Sequence, residues 1–226
     1  MLDPLERENE IMGILEAFNG LGLDFILVGG YAVSAYRHRF SIDADVVIRK
    51  DDKPKFEEML RSMGYKRTMG KQLDDAYSSE YVRYGKNEPK ADVDLLIGGI
   101  AIRQTGAAYS FELLMENSKE MTIEVSEKSV RARVPRREML IALKLHSGRL
   151  TDLRDVAALA FNLDFALIKK MLFRGNTEVL EHNMKHLGTL INKEEFRNSF
   201  KGVFMEKGYR IDAGEIRRLS MMKTDG

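Results

Sequence analysis

The chain has 226 residues, 36 lysines and arginines against 35 aspartates and glutamates, and a net charge of +1 at neutral pH. The absence of cysteine excludes disulfide bonds and thiolate metal sites. No apolar run is long enough to span a bilayer and the N-terminal residues lack the pattern of a signal peptide, so we expect a cytoplasmic protein without a membrane partner.

In the first part of the chain, helix signals alternate with strand signals. Helices are predicted where apolar residues recur three or four positions apart, over residues 4–20, 31–36, 52–64 and 107–118. Strands are predicted where runs are short and apolar or alternating, over residues 25–28, 43–48, 65–70, 78–85, 91–98, 121–126 and 128–135. Asp3 is the expected N-cap of the first helix. Asn87-Glu88-Pro89 is a turn signal, so the strands on either side of it should pair as a hairpin.

After Pro135 the pattern is helical to the end of the chain, with Thr151 as a plausible N-cap and a frayed tail over residues 220–226. We therefore predict an α+β fold, with a mixed β-sheet and flanking helices followed by a C-terminal helical bundle. The predicted domains are residues 1–134 and residues 135–226.

The two parts of the chain differ in charge. Residues 131–226 hold 19 lysines and arginines against 12 acidic residues, whereas residues 1–130 hold 17 against 23. An acidic part could bear a metal, and a basic part could meet phosphates. Ordinary variation in the charge of helical surfaces explains the same numbers equally well.

The strand after Gly29-Gly30 carries two aspartates, Asp43 and Asp45, in alternate positions. Alternation places both side chains on one face of the strand. Two neighbouring carboxylates repel each other unless a cation lies between them, and hard divalent cations prefer oxygen ligands. Solvated residues at a strand end are the alternative, but aspartate is disfavoured within strands.

A later strand supplies a candidate for a third acid. Asp92 and Asp94 also alternate, with apolar Val93 and Leu95 on the opposite face. Periodicity does not decide which of the two acids would complete a metal site, and solvated acids on an exposed hairpin strand remain the alternative.

Gly-Gly after a strand, a helix, and then the pattern R-x-S-x-D-x-D resembles the nucleotidyltransferase superfamily of the DNA polymerase β type, and more narrowly its stand-alone, AbiEii-toxin-like prokaryotic branch. The pattern is formed by Arg39, Ser41, Asp43 and Asp45. The resemblance is strong over residues 25–48, fair over 81–97 and 135–160, and absent after about residue 165.

The resemblance implies that Asp43, Asp45 and Asp94 are catalytic and bind two Mg²⁺ ions, or Mn²⁺, with Asp94 favoured over Asp92. It also implies that the glycine pair and Lys144 hold a nucleoside triphosphate. The helical motif that carries Lys144 comprises Lys144, Gly148, Arg149, Asp152 and Asp155. The alternatives are a lysine that snorkels to solvent and a salt bridge from Arg149 that locks two helices, the interpretation we favour for Asp155.

Four other observations stay open. Gly29-Gly30 is by itself a weak signal, because a tight turn explains it as well as phosphate binding does. Arg39 either contacts phosphate or caps its loop. The histidines are scattered, and only His182 and His186 share helical spacing, for which a solvated pair is favoured over a metal site. Ser34 is given no role.

The implied activity is transfer of a nucleoside monophosphate from a nucleoside triphosphate to an acceptor hydroxyl, with release of pyrophosphate. The basic second part favours RNA, such as the 3′ end of tRNA, as the acceptor; a protein side chain or an aminoglycoside-like small molecule would fit the same chemistry. The resemblance also allows a toxin with a cognate antitoxin as partner. A non-catalytic or antitoxin-like binding module is the alternative from another class, and a degenerate RNA-binding protein is a weaker third.

Overall fold

A computed structural model describes residues 4–74 and 79–223 of the chain and shows an α+β fold, as predicted. The helices are α1 (Pro4–Gly20), α2 (Gly29–Ser34), α3 (Lys53–Ser62), α4 (Phe111–Glu116), α5 (Arg137–Ser147), α6 (Leu150–Leu159), α7 (Phe165–Leu172), α8 (Thr177–Leu190), α9 (Glu194–Val203) and α10 (Ala213–Met221). The strands are β1 (Phe25–Val28), β2 (Asp43–Ile48), β3 (Lys66–Asp74), β4 (Ser79–Asn87), β5 (Lys90–Ile97), β6 (Gly99–Ile102), β7 (Ala107–Ser110), β8 (Ser118–Glu124) and β9 (Ser129–Pro135). The predicted cap Asp3 lies outside the described residues.

Five strands form the central sheet, in the order β1-β2-β5-β4-β3. β2 and β5 run parallel, whereas the other neighbours are antiparallel, so the sheet is mixed as the sequence predicts. β4 and β5 form the predicted hairpin, with Asn87 opposite Lys90 next to the turn. The parallel pairing of β2 with β5 brings together two aspartate-bearing segments that are far apart in sequence.

Burial alternates along β4 and β5. Val82 and Tyr84 of β4, and Val93 and Leu95 of β5, are fully or almost fully buried. Because side chains alternate between the two faces of a strand, the intervening residues of both strands point to the opposite face. The edge-to-face packing of aromatic rings from α1, β1 and α3 adds to the core of the same unit.

One predicted helix begins later than expected. The sequence pattern predicts a helix over residues 107–118, but residues 107–110 form β7, which pairs with β6, and the helix begins at Phe111. The Ser110 hydroxyl accepts a hydrogen bond from the backbone N–H of Leu113 at 3.2 Å, which caps the helix at its true start. Strand pairing outside the predicted window has overridden the local helix preference of its alanines.

The chain divides into two compact units, Met1–Ala101 with Tyr109–Pro135, and Ile102–Ala108 with Arg136–Gly226. The tip of the β6–β7 hairpin therefore groups with the second unit. That the units are independent domains, with a boundary between residues 134 and 135, stays a prediction.

The second unit is helical apart from that tip. The predicted cap at Thr151 is wrong, because α6 begins at Leu150 and Arg149 stands at the N-cap position, two residues before Thr151. The tail predicted to fray from Ser220 begins later, because α10 continues to Met221; residues 224–226 lie outside the described residues. Across the part of the chain that the structure describes, no helix is both long and apolar enough to cross a membrane.

Candidate active site

Four aspartates lie on two adjacent parallel strands of the first unit. In the register of this pair, Asp43 of β2 is opposite Asp92 of β5, and Asp45 is opposite Asp94. Neighbouring residues in register point to the same face of a sheet. The structure therefore brings together the acids that the sequence singles out, on the face opposite the apolar residues of β5.

A guanidinium group lies between two of these carboxylates. Arg83 of β4, directly opposite Asp94 in the hairpin register, donates from Nε to Asp94 Oδ1 and from Nη2 to Asp94 Oδ2, both at 2.6 Å. The same Nη2 lies 3.3 Å from Asp43 Oδ2. Tyr81 Oη also donates to Asp94 Oδ1, at 3.0 Å. Asp43 and Asp94 are thus close enough to share one nitrogen atom.

Burial distinguishes these groups from ordinary surface ion pairs. The side chain of Asp94 is 6% exposed, whereas those of Asp43 and Arg83 are 28% and 33% exposed. A bidentate pair between a guanidinium and a buried carboxylate is stronger and more directional than a surface ion pair. Asp94 is therefore held in one orientation, while Asp43 keeps a solvent-accessible side.

The pKa values of the cluster reflect the crowding of negative charge. Burial and the neighbouring carboxylate of Asp94 raise the pKa of Asp43 above its usual range, and Arg83 offsets only part of this effect. Burial and the same carboxylate raise the pKa of the Tyr81 phenol to about 12. Hydrogen bonds to Asp94 raise the pKa of the Arg83 guanidinium above its usual value. A cation among these oxygens is accordingly favourable.

Asp92 and Asp94 differ in their surroundings although they share a face. Asp92 is opposite Gly85 of β4 and packs its carboxylate against that glycine. Both acids raise the pKa of Asp43, and Asp94 has the larger effect. Of the two, Asp94 is the one more closely coupled to Asp43.

The glycine pair is shaped by close approach of polar side chains. Gly29 opens α2 with φ +66°, and a Cβ built there would overlap the carboxylate of Asp45. A Cβ on Gly30 would overlap the hydroxyl of Ser41. Both glycines therefore have a steric reason that does not require a nucleotide.

The loop between α2 and β2 is held by hydrogen bonds within the first unit. The buried Ser34 hydroxyl donates to the carbonyl of Arg39 at 2.7 Å, and Tyr31 Oη donates to the carbonyl of Ser41 at 3.3 Å. Arg39 Nε donates to the carbonyl of Phe40 at 3.1 Å. Ser34, which the sequence left without a role, thus helps to fix the conformation of the loop that precedes the two acids of β2.

Lys144 lies in the second unit, within a buried ionic cluster. Its Nζ is 3.0 Å from Asp152 Oδ1 and 2.6 Å from Asp155 Oδ2 of α6, and only 8% of its side chain is exposed. Burial alone would lower the pKa of Lys144, but Asp155 and Asp152 raise it. Arg149 Nε and the Ser147 hydroxyl complete the cluster through Asp152 Oδ2. Binding of a triphosphate by Lys144 stays a prediction.

The histidines are split between surface and core. His182 and His186 are exposed on α8 with ring centroids 6.1 Å apart, as a solvated pair would be. His146 is fully buried between the Thr105 hydroxyl and the carbonyl of Leu172. Because a carbonyl can only accept, Nε2 of His146 carries the proton and Nδ1 accepts from Thr105.

The three predicted metal ligands do not form a ready coordination site in the arrangement seen. Within residues 4–74 and 79–223, no group of three or more histidine, cysteine, aspartate or glutamate side chains is placed to hold a metal ion. Both oxygens of Asp94 accept hydrogen bonds from Arg83 in this arrangement. The donor chemistry nevertheless fits a hard cation, because the acids are carboxylates and one cationic group already lies between two of them.

Arg83 and Tyr81 are the site residues that sequence reasoning missed. A signal for Arg83 was present, since counting back from the turn at residues 87–89 places it opposite Asp94. Such counting depends on the length of the turn, and a slip of one residue moves Arg83 to the other face. Tyr81, two positions from Arg83 on β4, shares its face for the same reason.

The mixed sheet and its helices define an α+β fold that a solved structure shares. A crystal structure of ANT(2″)-Ia in complex with adenylyl-2″-tobramycin is similar with a TM-score of 0.50 and 15% identity, covering 72% of this chain and 92% of that chain. At this level of identity the likeness shows the fold alone.

Two further solved structures are more distant. The lincomycin-bound lincosamide antibiotic adenylyltransferase LnuA has a TM-score of 0.45 and 22% identity, covering 67% of this chain and 95% of that chain. A tRNA nucleotidyltransferase complexed with a primer tRNA and an incoming ATP analog has a TM-score of 0.36 and 14% identity, covering 91% of this chain and 66% of that chain. No protein-family model matches the chain, and no curated protein matches it.

Proposed function

We propose that the chain is a metal-dependent nucleotidyltransferase, which moves a nucleoside monophosphate from a nucleoside triphosphate to an acceptor hydroxyl and releases pyrophosphate. The observation that carries the proposal is the placement of Asp43, Asp45 and Asp94 on one face of the parallel strands β2 and β5, where Asp45 is opposite Asp94 and Arg83 contacts both Asp43 and Asp94. The fold shared with an adenylyl-aminoglycoside complex agrees with this chemistry.

Asp43, Asp45 and Asp94 are the residues that would hold Mg²⁺, with two ions expected and Mn²⁺ as a substitute. When bound, the metal neutralises phosphate charge and makes the acceptor hydroxyl more acidic. Asp43 offers an accessible carboxylate whose negative charge is disfavoured by burial and by Asp94. Its oxygens therefore gain more from a nearby cation than those of a solvated aspartate would.

The other predicted site residues are assigned the following roles. Asp94, on β5, assists the activation of the acceptor hydroxyl. The Gly29-Gly30 turn leaves room beside Asp45 because neither residue carries a Cβ. Rigid strand positions suit a reaction in which catalysis consists mainly of positioning and charge neutralisation. Lys144 is the proposed ligand of the triphosphate.

The acceptor proposed is the 3′ end of an RNA. Its support is the excess of positive charge in residues 131–226, with 19 lysines and arginines against 12 acidic residues. A polyanion gains affinity from such a surface without requiring base contacts. A protein hydroxyl and an aminoglycoside-like small molecule are the competing acceptors, and one experiment separates them.

That experiment supplies each α-labelled nucleoside triphosphate with Mg²⁺ to the protein, together with total RNA, cell protein or an aminoglycoside mixture. We expect label in the RNA fraction with the native chain and none with Asp43→Ala. Asp51→Asn, which removes an exposed carboxylate outside the cluster, is the matched control and should label normally. Absence of label from every acceptor pool would contradict the transferase proposal.

A binding module without turnover, as in an antitoxin-like partner, is the second candidate. Its specific support is that both carboxylate oxygens of Asp94 already accept hydrogen bonds, from Arg83 and from Tyr81. Binding of nucleotide without transfer of label would favour this candidate. A toxin role beside a cognate antitoxin rests on the motif resemblance alone, and arrest of growth on induced expression, relieved by Asp43→Ala, is its test.

A further inference from the structure

Both oxygens of Asp94 are already used by the protein. Arg83 bonds Oδ1 through Nε and Oδ2 through Nη2, and Tyr81 adds a second bond to Oδ1. A cation coordinated by the same carboxylate would approach the positively charged fork within a few ångströms. Full pairing with Arg83 and coordination of a metal by Asp94 therefore oppose each other, because the two cations repel.

The two contacts of Arg83 are unequal. The fork on Asp94 is short and involves a carboxylate with 6% of its surface exposed, whereas the contact with Asp43 is a single one at 3.3 Å. Arg83 itself is one-third exposed. Its guanidinium can therefore leave Asp43 at small cost and can move into solvent without unfolding β4, because an arginine side chain has several rotatable bonds.

The negative charges of the cluster outnumber the positive charge that Arg83 supplies. Asp43, Asp45 and Asp94 carry three formal negative charges, and the guanidinium supplies one positive charge between two of them. A divalent ion carries twice the charge of Arg83 and takes several oxygen ligands at once.

We propose that Arg83 is a resident counter-cation that holds Asp43 and Asp94 in the metal-free protein and competes with the metal for them. Entry of the metal requires Arg83 to release at least one oxygen of Asp94. Arg83 is thus a positioning residue that sets metal affinity and keeps the acids together before the metal arrives. The proposal rests on the proposed function, because it assumes that this cluster is the metal site.

The test is calorimetric titration of Mn²⁺ into the full chain without nucleotide, comparing the native protein with Arg83→Gln. We expect Arg83→Gln to bind Mn²⁺ at least about tenfold more tightly. Arg83→Lys keeps the charge but lacks the planar fork, so we expect an affinity between the two. Arg67→Gln removes the same charge from β3, where Arg67 lies against Glu80, and should bind as the native chain does.

Thermal unfolding of the same proteins gives a second readout. Without metal, Arg83→Gln should unfold at a lower temperature than the native chain, because Asp43 and Asp94 then repel each other without a cation. Mn²⁺ should raise its unfolding temperature by more than it raises that of the native chain. If Arg83→Gln does not fold, Arg83→Lys decides the outcome, and an affinity equal to the native value would then refute competition.

Equal or weaker Mn²⁺ binding by folded Arg83→Gln would overturn the inference. Asp43→Ala separates this failure from failure of the proposed function. If Asp43→Ala loses Mn²⁺ binding while Arg83→Gln binds like the native chain, the metal site stands and only the competition is wrong. If Asp43→Ala binds as the native chain does, or if no protein in the set binds Mn²⁺, both proposals fail.

Discussion

Asp45 and Asp94 are direct partners in the register of the parallel strands β2 and β5. Gly29 makes room for the first carboxylate, and Arg83 binds the second at 2.6 Å. Neither acid is therefore a loosely solvated strand-end residue. Closely spaced carboxylates on neighbouring strands are a feature of sites that bind a cation or a substrate.

The first prediction concerns Asp43. Because burial and Asp94 raise its pKa, its charge destabilises the fold at neutral pH in the absence of metal. Asp43→Asn should therefore raise the unfolding temperature in a chelator-containing buffer, while the stabilisation conferred by Mg²⁺ disappears. The surface variant Asp51→Asn should change neither quantity. A lower unfolding temperature for Asp43→Asn would show that its contact with Arg83 outweighs the repulsion.

The second prediction concerns Gly29. A left-handed conformation costs a non-glycine residue about 1–2 kcal/mol, and a Cβ here would also displace Asp45. Gly22 is a matched control, because its φ of +64° is nearly the same as the +66° of Gly29, but nothing lies within 4 Å of the position that a Cβ would take there. Urea denaturation should therefore show a larger loss in the free energy of unfolding for Gly29→Ala than for Gly22→Ala. Equal losses would mean that Asp45 moves aside freely.

The third prediction concerns Lys144. Removing one partner from a buried ion pair typically costs about 3–5 kcal/mol, and Asp155 and Asp152 are 1% and 4% exposed. Lys144→Met should lose a free energy of unfolding in that range. The double variant Lys144→Met with Asp155→Leu should recover part of it, because the uncompensated charge is gone.

The same pair of variants tests the predicted role of Lys144 on the triphosphate. If Lys144 binds phosphate, the stabilised double variant should still bind nucleoside triphosphate more weakly than the native chain. An unchanged nucleotide affinity would assign Lys144 to holding α5 and α6 together and nothing more. Fluorescence titration with each nucleotide measures the difference.

The fourth prediction is a pH dependence that arises from His146. Burial lowers the pKa of His146 from 6.5 to about 4, so the unfolded chain binds a proton there more readily than the folded chain does. Its contribution to stability is complete above pH 6.5 and declines by up to about 3 kcal/mol as the pH falls towards 4.

Urea denaturation between pH 7 and pH 4.5 checks this, with His146→Gln as the comparison because glutamine does not titrate. The difference in stability between the two proteins should shrink as the pH falls. Asp152 does not interfere, because its pKa is lowered from 3.8 to about 2 and its own pH window lies below that of His146. A pH-independent difference would contradict a neutral, buried imidazole.

Much of the sheet could be predicted because its signals are local. Alternation in β5 predicted that Val93 and Leu95 are buried and that the acids face the other way, and a turn with proline predicted the hairpin. The strand of residues 107–110 could not be predicted from its composition. Its conformation depends on pairing with β6, and tertiary pairing overrides the weak helix preference of a few residues.

The candidate site could be predicted only in part, because some of its contacts depend on pairing between distant segments of the chain. A pair of aspartates on one strand is visible in sequence, but the pairing of β2 with β5 across a long separation is not. The contact of Arg83 with Asp94 and Asp43 requires that pairing together with the exact hairpin register. The burial of Lys144 against Asp152 and Asp155 could not be predicted either, because it depends on how α5 packs on α6.

The most direct test of a metal–nucleotide site is calorimetric titration of each nucleoside triphosphate with Mg²⁺ into the native chain, Asp43→Ala and Asp94→Asn. We predict saturable binding of at least one nucleotide by the native chain, abolished by chelation of the metal. We also predict at least about a tenfold loss of affinity in Asp43→Ala, with Asp51→Asn unaffected. Equal binding by the native chain and Asp43→Ala would contradict a metal–nucleotide site at these carboxylates.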